Sequence, residues 1–347
     1  VNEQGASQSG EAGESHDVQL WDPERACRRV SPVEAQWSRG FLRCRPEKWF
    51  PGFAAQWMPI VHAIGCEATI ADIKTLLTQP PYDEYTFVGE IGGEELVLSV
   101  DDESARILLA EVVPGIDDKA GAVVAEYLLR RMFFSLVSAW SGAELTSVSF
   151  RGKAKESSTK VVASVRLACT INTGSVVVWV GLGQKMVENL DGLWRRQVQS
   201  SSRVAAGVSS VRLEVAQLGV PPQMLSDYLT KGTVIDLEVR ASDTITLRVG
   251  NKAWMPGRMV NVGGNFGCEM APGAVLAPSV AEGTTRLSVE LASINLEAAQ
   301  LAELGQPGAI LVSSAPLGAR VTLVINQEKV GEARLCVYEG RFAIEVL

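Results

Sequence analysis

Polar and apolar residues follow two rhythms along this chain. Val124, Tyr127, Leu128, Met132 and Leu136 recur near helical spacing and predict a long helix over residues 117–140. A second helix is predicted over 102–113. Asp101, Asp102 and Glu103 sit at its start, where carboxylates meet the positive end of the dipole, and Pro114-Gly115 stops it. Residues 68–77 read as a third helix and 32–41 as a short one. Period-two alternation predicts a hairpin from Tyr85–Ile91 and Glu94–Val100, turning at Gly92-Gly93, because paired glycines accept the positive φ of a tight turn. Strands follow at 145–150, 161–170 and 175–180, the first two separated by a Lys/Ser-rich loop at 152–160. Residues 192–206 are polar and read as a linker.

Beyond that linker the pattern repeats. A displacement of 76 residues places Glu214 on Glu290, Ala216 on Ala292, Gly232 on Gly308, Leu247 on Leu323, Phe266 on Phe342 and Glu269 on Glu345. Apolar pairs fill the intervals, among them Leu213 with Val289, Leu225 with Leu301 and Val249 with Ile325. A two-residue slip is needed to bring Gly257 onto Gly331. Each copy reads as an alternating strand, a short helical segment, a Gly turn and further strands, a β-rich unit of roughly 65 residues. A unit of that size has a small core and open strand edges, so pairing with a second unit is expected. Leu323, Ile325, Leu335, Phe342 and Ile344 are the candidate core of that pair. The partner of copy 2 is expected to be copy 1 in the full chain, or a second copy 2 in a carboxy-terminal fragment.

The expected organisation is an acidic disordered tail over 1–20, an amino-terminal α+β domain over 21–198, a linker over 199–206, and the two repeat domains over 207–275 and 281–347. The tail does not read as a targeting peptide. Trp21, Trp37, Trp49 and Trp57 lie among Arg43 and Arg45, a mixture that can stack on bases. The net charge of −8 supplies no basic field for nucleic acid, so core packing is the better reading of these indoles. No apolar run is long enough to span a bilayer.

Candidate chemistry is sparse. Two histidines, His16 and His62, leave little room for His-based triads or metal sites, and His62 beside Ile60, Val61 and Ile64 reads as packed. The six cysteines form no CxxC pair and read as reduced, mostly buried thiols rather than a disulfide framework. Gly181-Leu-Gly183 follows an apolar strand, but Met186 stands where a dinucleotide loop needs its third glycine, so a simple turn is expected. Asp101-Asp102 and Asp117-Asp118 read as helix caps, and Gly263-Gly264-Asn265 as a hairpin turn. The residues assign no catalytic group, no cofactor and no metal.

The repeat resembles the surface-presentation-of-antigens (SpoA) domain of flagellar FliN and FliM and of type III secretion proteins. In copy 2 the resemblance rests on Leu287-Ser-Val-Glu-Leu291, Gly308, the run from Pro316 to Asn326, Gly331 and Arg341-Phe-Ala-Ile344. In copy 1 it rests on Gly232, Leu247-Arg-Val249, Gly257 and Phe266. The amino-terminal region more faintly resembles the CheC-like middle domain of FliM, through Gly92-Gly93 and the helix ending Phe133 to Trp140, without the Glu…Asn signature of a phosphatase. The fold class implied is α+β: a CheC-like α+β domain followed by two small β-rich SpoA domains.

Two tandem copies after a larger domain are the layout of the YscQ/SpaO/HrcQ family of sorting-platform (C-ring) proteins. FliM and FliN each carry one, and residues 1–20 lack FliM's regulator-binding peptide. The resemblance implies a non-enzymatic scaffold that is cytoplasmic and peripheral to the inner-membrane base of the secretion apparatus. The implied partners are the stator protein tethering the export ATPase (YscL/OrgB-like), the membrane-ring adaptor (YscK/OrgA-like), further copies or the carboxy-terminal SpoA fragment, and chaperone–effector complexes. No nucleic acid is among them. Such a fragment arises in the family by internal initiation, for which Met255, Met259 and Met270 are the methionines in place. Trp254, Met255 and Met259 are the candidate groove residues for the stator, although Trp254 reads equally as core. The alternatives are a flagellar switch protein and a cytosolic enzyme with its site in the amino-terminal domain.

Overall fold

Gly92 and Gly93, at φ 59° and 84°, turn the first hairpin as their sequence predicts. The computed structural model describes residues 18–82, 85–140, 147–153, 160–172, 174–201, 207–275 and 283–347. The expected tail is therefore outside the described residues up to residue 17, and its last two residues form a strand. Among the described residues the strands in chain order are β1 Gln19–Leu20, β2 Arg28–Val30, β3 Ala68–Leu76, β4 Tyr85–Ile91, β5 Glu94–Val100, β6 Val148–Lys153, β7 Val161–Ile171, β8 Gly174–Gly183 and β9 Val208–Val220. They continue with β10 Val234–Arg240, β11 Thr244–Val249, β12 Lys252–Val262, β13 Asn265–Met270, β14 Thr285–Glu297, β15 Ile310–Pro316, β16 Arg320–Ile325, β17 Glu328–Tyr338 and β18 Arg341–Val346. The class is α+β, as expected.

The chain forms two units that are not contiguous in sequence. Unit 2 comprises residues 31–208 and 296–310. Its sheet runs β3-β7-β8-β5-β4-β6, with antiparallel neighbours throughout. The helix Asp118–Trp140 buries Leu128, Met132, Phe133, Leu136 and Trp140 in its core but leaves Tyr127 59% exposed, so the apolar stripe is narrower than its sequence suggests. The Phe133 ring lies so close to β4 that a Cβ on Gly89 would meet it at 2.1 Å. Asp101 Oδ1 accepts from the Ser104 amide at 2.7 Å, and Asp117 Oδ1 from the Ala120 amide at 2.9 Å, the capping roles expected of them. Trp49 and Trp57 stack with centroids 5.8 Å apart in the same core.

Three local expectations are corrected in unit 2. Residues 68–76 form edge strand β3, paired to β7, because Ile70 and Ile73 pack against the core from a strand. The polar stretch 192–206 does not begin a linker. The helix Gln184–Ser201 runs through its first part, with Met186, Val187, Leu190 and Trp194 buried at helical spacing beneath a polar face; residues 202–206 lie outside the described ones. Gly181 and Gly183 lie within β8 rather than in a turn, where Cβ atoms would press on Val97 and Glu94.

Unit 1 comprises residues 1–30, 209–295 and 311–347, so residues 21–30 do not belong with the amino-terminal domain. Its sheet order is β10-β18-β17-β16-β14-β9-β11-β12-β13-β15. Read through the repeat, that order is a palindrome about β14-β9. Each copy gives its second strand to the other: β10 of copy 1 pairs with β18 of copy 2, and β15 of copy 2 pairs with β13 of copy 1. Neither copy has a complete sheet alone. Leu323, Leu335, Phe342 and Ile344 are fully buried here and Ile325 nearly so.

The 76-residue displacement holds without a slip. Leu247 opposes Met255 and Leu323 opposes Gly331, so Gly331 corresponds to Met255, and Gly257 corresponds to Ala333. The turn before β12 places Gly250 at φ 56°, and its counterpart Asn326 takes φ 49°, a left-handed conformation that asparagine tolerates better than most residues.

The copies are joined again by the segment before residue 31. β1 pairs with β17 and β2 with β12, and the partners of Leu20 and Arg28 are Cys336 and Val260, one repeat position in two copies. Between them Trp21 stacks on Phe266 at 6.2 Å and meets Phe342 edge-on at 5.8 Å. Those phenylalanines are also equivalent, so one indole bridges both halves near the pseudo-dyad. Trp21→Ala removes a buried indole from both copies at once and is expected to lower unfolding stability by about 3–5 kcal/mol, with unit 1 still melting in one transition. Denaturant unfolding followed by circular dichroism checks this; two separate transitions in the wild type would contradict the single unit.

Candidate interaction surfaces

Strand β12 carries the residues singled out for partner binding. Between Leu247/Met255 and Arg248/Ala253 the register shifts, leaving Trp254 as the extra residue of a bulge. In copy 2 the same shift leaves Val330 extra, 76 positions on and 40% exposed. The bulge holds Trp254 half-buried, with Met255 beside it also half-buried. Met259 is 1% exposed and belongs to the interior, so it is removed from the candidate groove. Strand alternation explains the loss: β12 buries Gly257 and Met259 on the face that carries its core.

A set of buried charges lies where β9 meets β14, and sequence reasoning did not assign it. Arg212 Nη1 donates to Glu290 Oε1 at 2.9 Å, and Arg248 Nη1 to Glu214 Oε1 at 3.5 Å. Gln217 Nε2 donates to Glu214 Oε2 at 3.0 Å and to Ser288 Oγ at 3.2 Å. Burial pushes the Glu290 carboxyl up to about 7 although Arg212 holds it down, and burial likewise raises Glu214. The available signal was the identity of Glu214 and Glu290 in the repeat.

In unit 2 a second buried set ties residues 296–310 of copy 2 to the amino-terminal fold. Arg195 Nε donates to Glu303 Oε1 at 2.9 Å, Ser38 Oγ accepts from the Ile310 amide at 2.8 Å, and Arg43 reaches the Pro307 carbonyl. Asp191, 3% exposed, accepts from the Phe41 amide at 3.4 Å and from Gln36 Nε2 at 3.5 Å. A Cβ on Gly40 would strike its Oδ1 at 2.1 Å. On the exposed side of the helix Asp118–Trp140, Val123, Tyr127 and Phe134 are 69%, 59% and 41% exposed, with Arg131 over Tyr127 at 5.8 Å and Arg130 over Phe134 at 5.9 Å. His62 lies near this face and is exposed, not packed as expected. Among the described residues no group of His, Cys, Asp or Glu is placed to hold a metal, and no helix is long and apolar enough to cross a membrane.

Residues 211–271 and 282–347 each match the family described as type III flagellar switch regulator (C-ring) FliN C-term. Both tandem copies are thus similar to the FliN-type C-ring domain. Among curated proteins no relative matches the chain. Of solved structures, the FliM middle domain from H. pylori is similar at 15% identity over 41% of this chain and 90% of that one, with TM-score 0.29. The FliM middle domain from Vibro alginolyticus is similar at 15% identity over 41% of this chain and 94% of that one, with TM-score 0.28. At that overlap both are likenesses only.

The Asp191 carboxyl is pushed up to about 7, chiefly by burial and then by Glu303, against Arg195 and its hydrogen bonds. Its folded value lies above its unfolded one, so the folded state binds the extra proton and this contribution to stability falls as pH rises from about 4 to 7. Asp191→Asn is expected to flatten that part of the pH dependence and to raise the melting temperature at pH 8 relative to the wild type. Melting curves across pH 5–8 test it; an unchanged slope would show that Asp191 is ionised throughout.

Proposed function

We propose that this protein is a cytoplasmic scaffold subunit of a type III secretion sorting platform, without catalytic activity, peripheral to the inner-membrane base. The observation that carries the proposal is the tandem: two FliN-type domains in one chain, folded as a single strand-exchanged sheet after a larger α+β unit. FliM and FliN carry one such domain each, and the YscQ/SpaO/HrcQ proteins carry two after a larger domain. In this reading the chain binds the stator protein of the export ATPase and the membrane-ring adaptor, pairs with further copies or with a carboxy-terminal SpoA fragment, and receives chaperone–effector complexes.

The bulge at Trp254 suits the stator contact. It leaves a half-buried indole at a break in the strand ladder, and aromatic anchors carry much of the energy of protein interfaces. The second reading is a flagellar motor switch protein, favoured by the wording of the matched family. Co-purification from the native host, read by mass spectrometry, separates the two: injectisome stator and adaptor proteins in one case, flagellar rotor proteins in the other. Trp254→Ala is expected to leave the melting temperature within about 2 °C of wild type and to weaken stator binding at least tenfold, the usual consequence of removing an anchor. Loss of folding would return Trp254 to the core; full binding by a folded variant would remove it from the contact.

A further inference from the structure

Tyr127 and Phe134 are the two most exposed aromatic side chains among the described residues. Both stand on the helix Asp118–Trp140, and Val123, one turn before Tyr127, is more exposed still. From Val123 to Phe134 this stripe covers roughly 16 Å, about three turns of helix. Facing it is the helix Met58–Ile64, which contributes Pro59 and His62 to a cleft of about 750 Å³. Arg130 and Arg131 line the same cleft. Arg130 lies over the rings of Phe134 and Phe150, at 5.9 and 5.3 Å, and Arg131 over Tyr127. Arg131 also reaches toward the facing helix, since a Cβ on Gly65, just past its end, would lie 3.4 Å from Arg131 Nη1. Among the described residues neither guanidinium forms an ion pair with a carboxylate, the neighbouring Glu126 included.

We propose that this cleft is the docking site for an acidic amphipathic helix of a partner protein. Stacking on aromatic faces restricts the two guanidinium groups in advance, and a planar fork held that way receives a carboxylate through two parallel N–H donors. A helix laid in the cleft would set apolar residues against Val123, Tyr127 and Phe134, while carboxylates flanking its apolar stripe meet Arg130 and Arg131. Tyrosine and arginine are among the residue types that carry most interface energy. A second copy of this chain is a poorer occupant, because a two-fold contact through this face would set Arg130 and Arg131 against their own equivalents. A bilayer is poorer too: interfacial helices carry rows of Lys and Arg, whereas these two cations lie beside Glu126 in a cleft. The proposal rests on the surface of unit 2 alone and is independent of the sorting-platform reading.

The probe is a fluorescein-labelled amphipathic helical peptide with Leu and Phe along one face and Glu on both flanks; a second peptide carries Lys in place of Glu. Fluorescence anisotropy with the full-length protein is expected to show the Glu peptide bound at least about tenfold more tightly than the Lys peptide, and less tightly as salt is added. R130E/R131E is expected to lose the Glu peptide and gain the Lys peptide. Y127S/F134S is expected to weaken the Glu peptide at least about tenfold, both variants melting within about 2 °C of wild type. If R130E/R131E does not fold, R130Q/R131Q carries the test and is expected to lose the Glu peptide. No binding of the Glu peptide, equal binding of both peptides, or full binding of the Glu peptide by either folded variant would overturn the proposal. So would two findings that give the cleft to another occupant: self-association in sedimentation velocity that Y127S/F134S abolishes, or capture by phosphatidylserine vesicles that R130E/R131E abolishes.

Discussion

The pairing of β9 with β14 is the contact on which unit 1 depends. Each copy hands its second strand to the other, so a sheet built from one copy alone would have a missing member and two open edges. The exchange makes the two copies one folding unit rather than two domains in contact. At the junction, strand geometry and charge act together. The backbone ladder joins the copies, and the ion pairs Arg212–Glu290 and Arg248–Glu214 satisfy carboxylates that burial would otherwise leave uncompensated. An apolar interface alone would tolerate several partners of similar shape; one with buried charges requires their complements.

The same logic explains why the units are not contiguous in sequence. Trp21 lies far from the repeat along the chain, yet it fills the space between two equivalent phenylalanines. A site on a pseudo-dyad needs one residue rather than two, and a segment outside the repeat can supply it without breaking the symmetry of either copy. Residues 296–310 do the reverse. They lie inside copy 2 in sequence but belong to unit 2, held by Glu303 on Arg195 and by the Ile310 amide on Ser38. Their counterparts in copy 1 remain within unit 1. The two copies share a strand plan and differ in what their helical segment is used for.

For a protein read as a scaffold, core and contact residues must be told apart, and burial does this more sharply than residue type. Met255 and Met259 are alike in chemistry, but one lies beside a bulge and the other in the interior. Trp254 is held half-buried because the bulge breaks the alternation of its strand. On the long helix the exposed aromatics are flanked by guanidinium groups, which lets an apolar surface remain in water.

The sequence by itself determined the long helix, the hairpin at Gly92-Gly93, the two aspartate caps, the tandem copies and most of the apolar set of copy 2. Each of these is written in spacing or in a local backbone requirement, which no distant residue needs to complete. It missed the strand at 68–76 and the helix through 192–201, because an edge strand and a helix with one buried face both carry mixed polarity that only their neighbours resolve. It also aligned Gly257 with Gly331, since identity of residue type is a weaker guide than the register of hydrogen-bonded strands. Only the tertiary structure decided that the copies exchange strands, that Trp21 joins them, and that Arg212 belongs to Glu290. Those facts depend on residues brought together from distant parts of the chain, and a one-dimensional pattern records which side chains are apolar or charged without recording which of them meet.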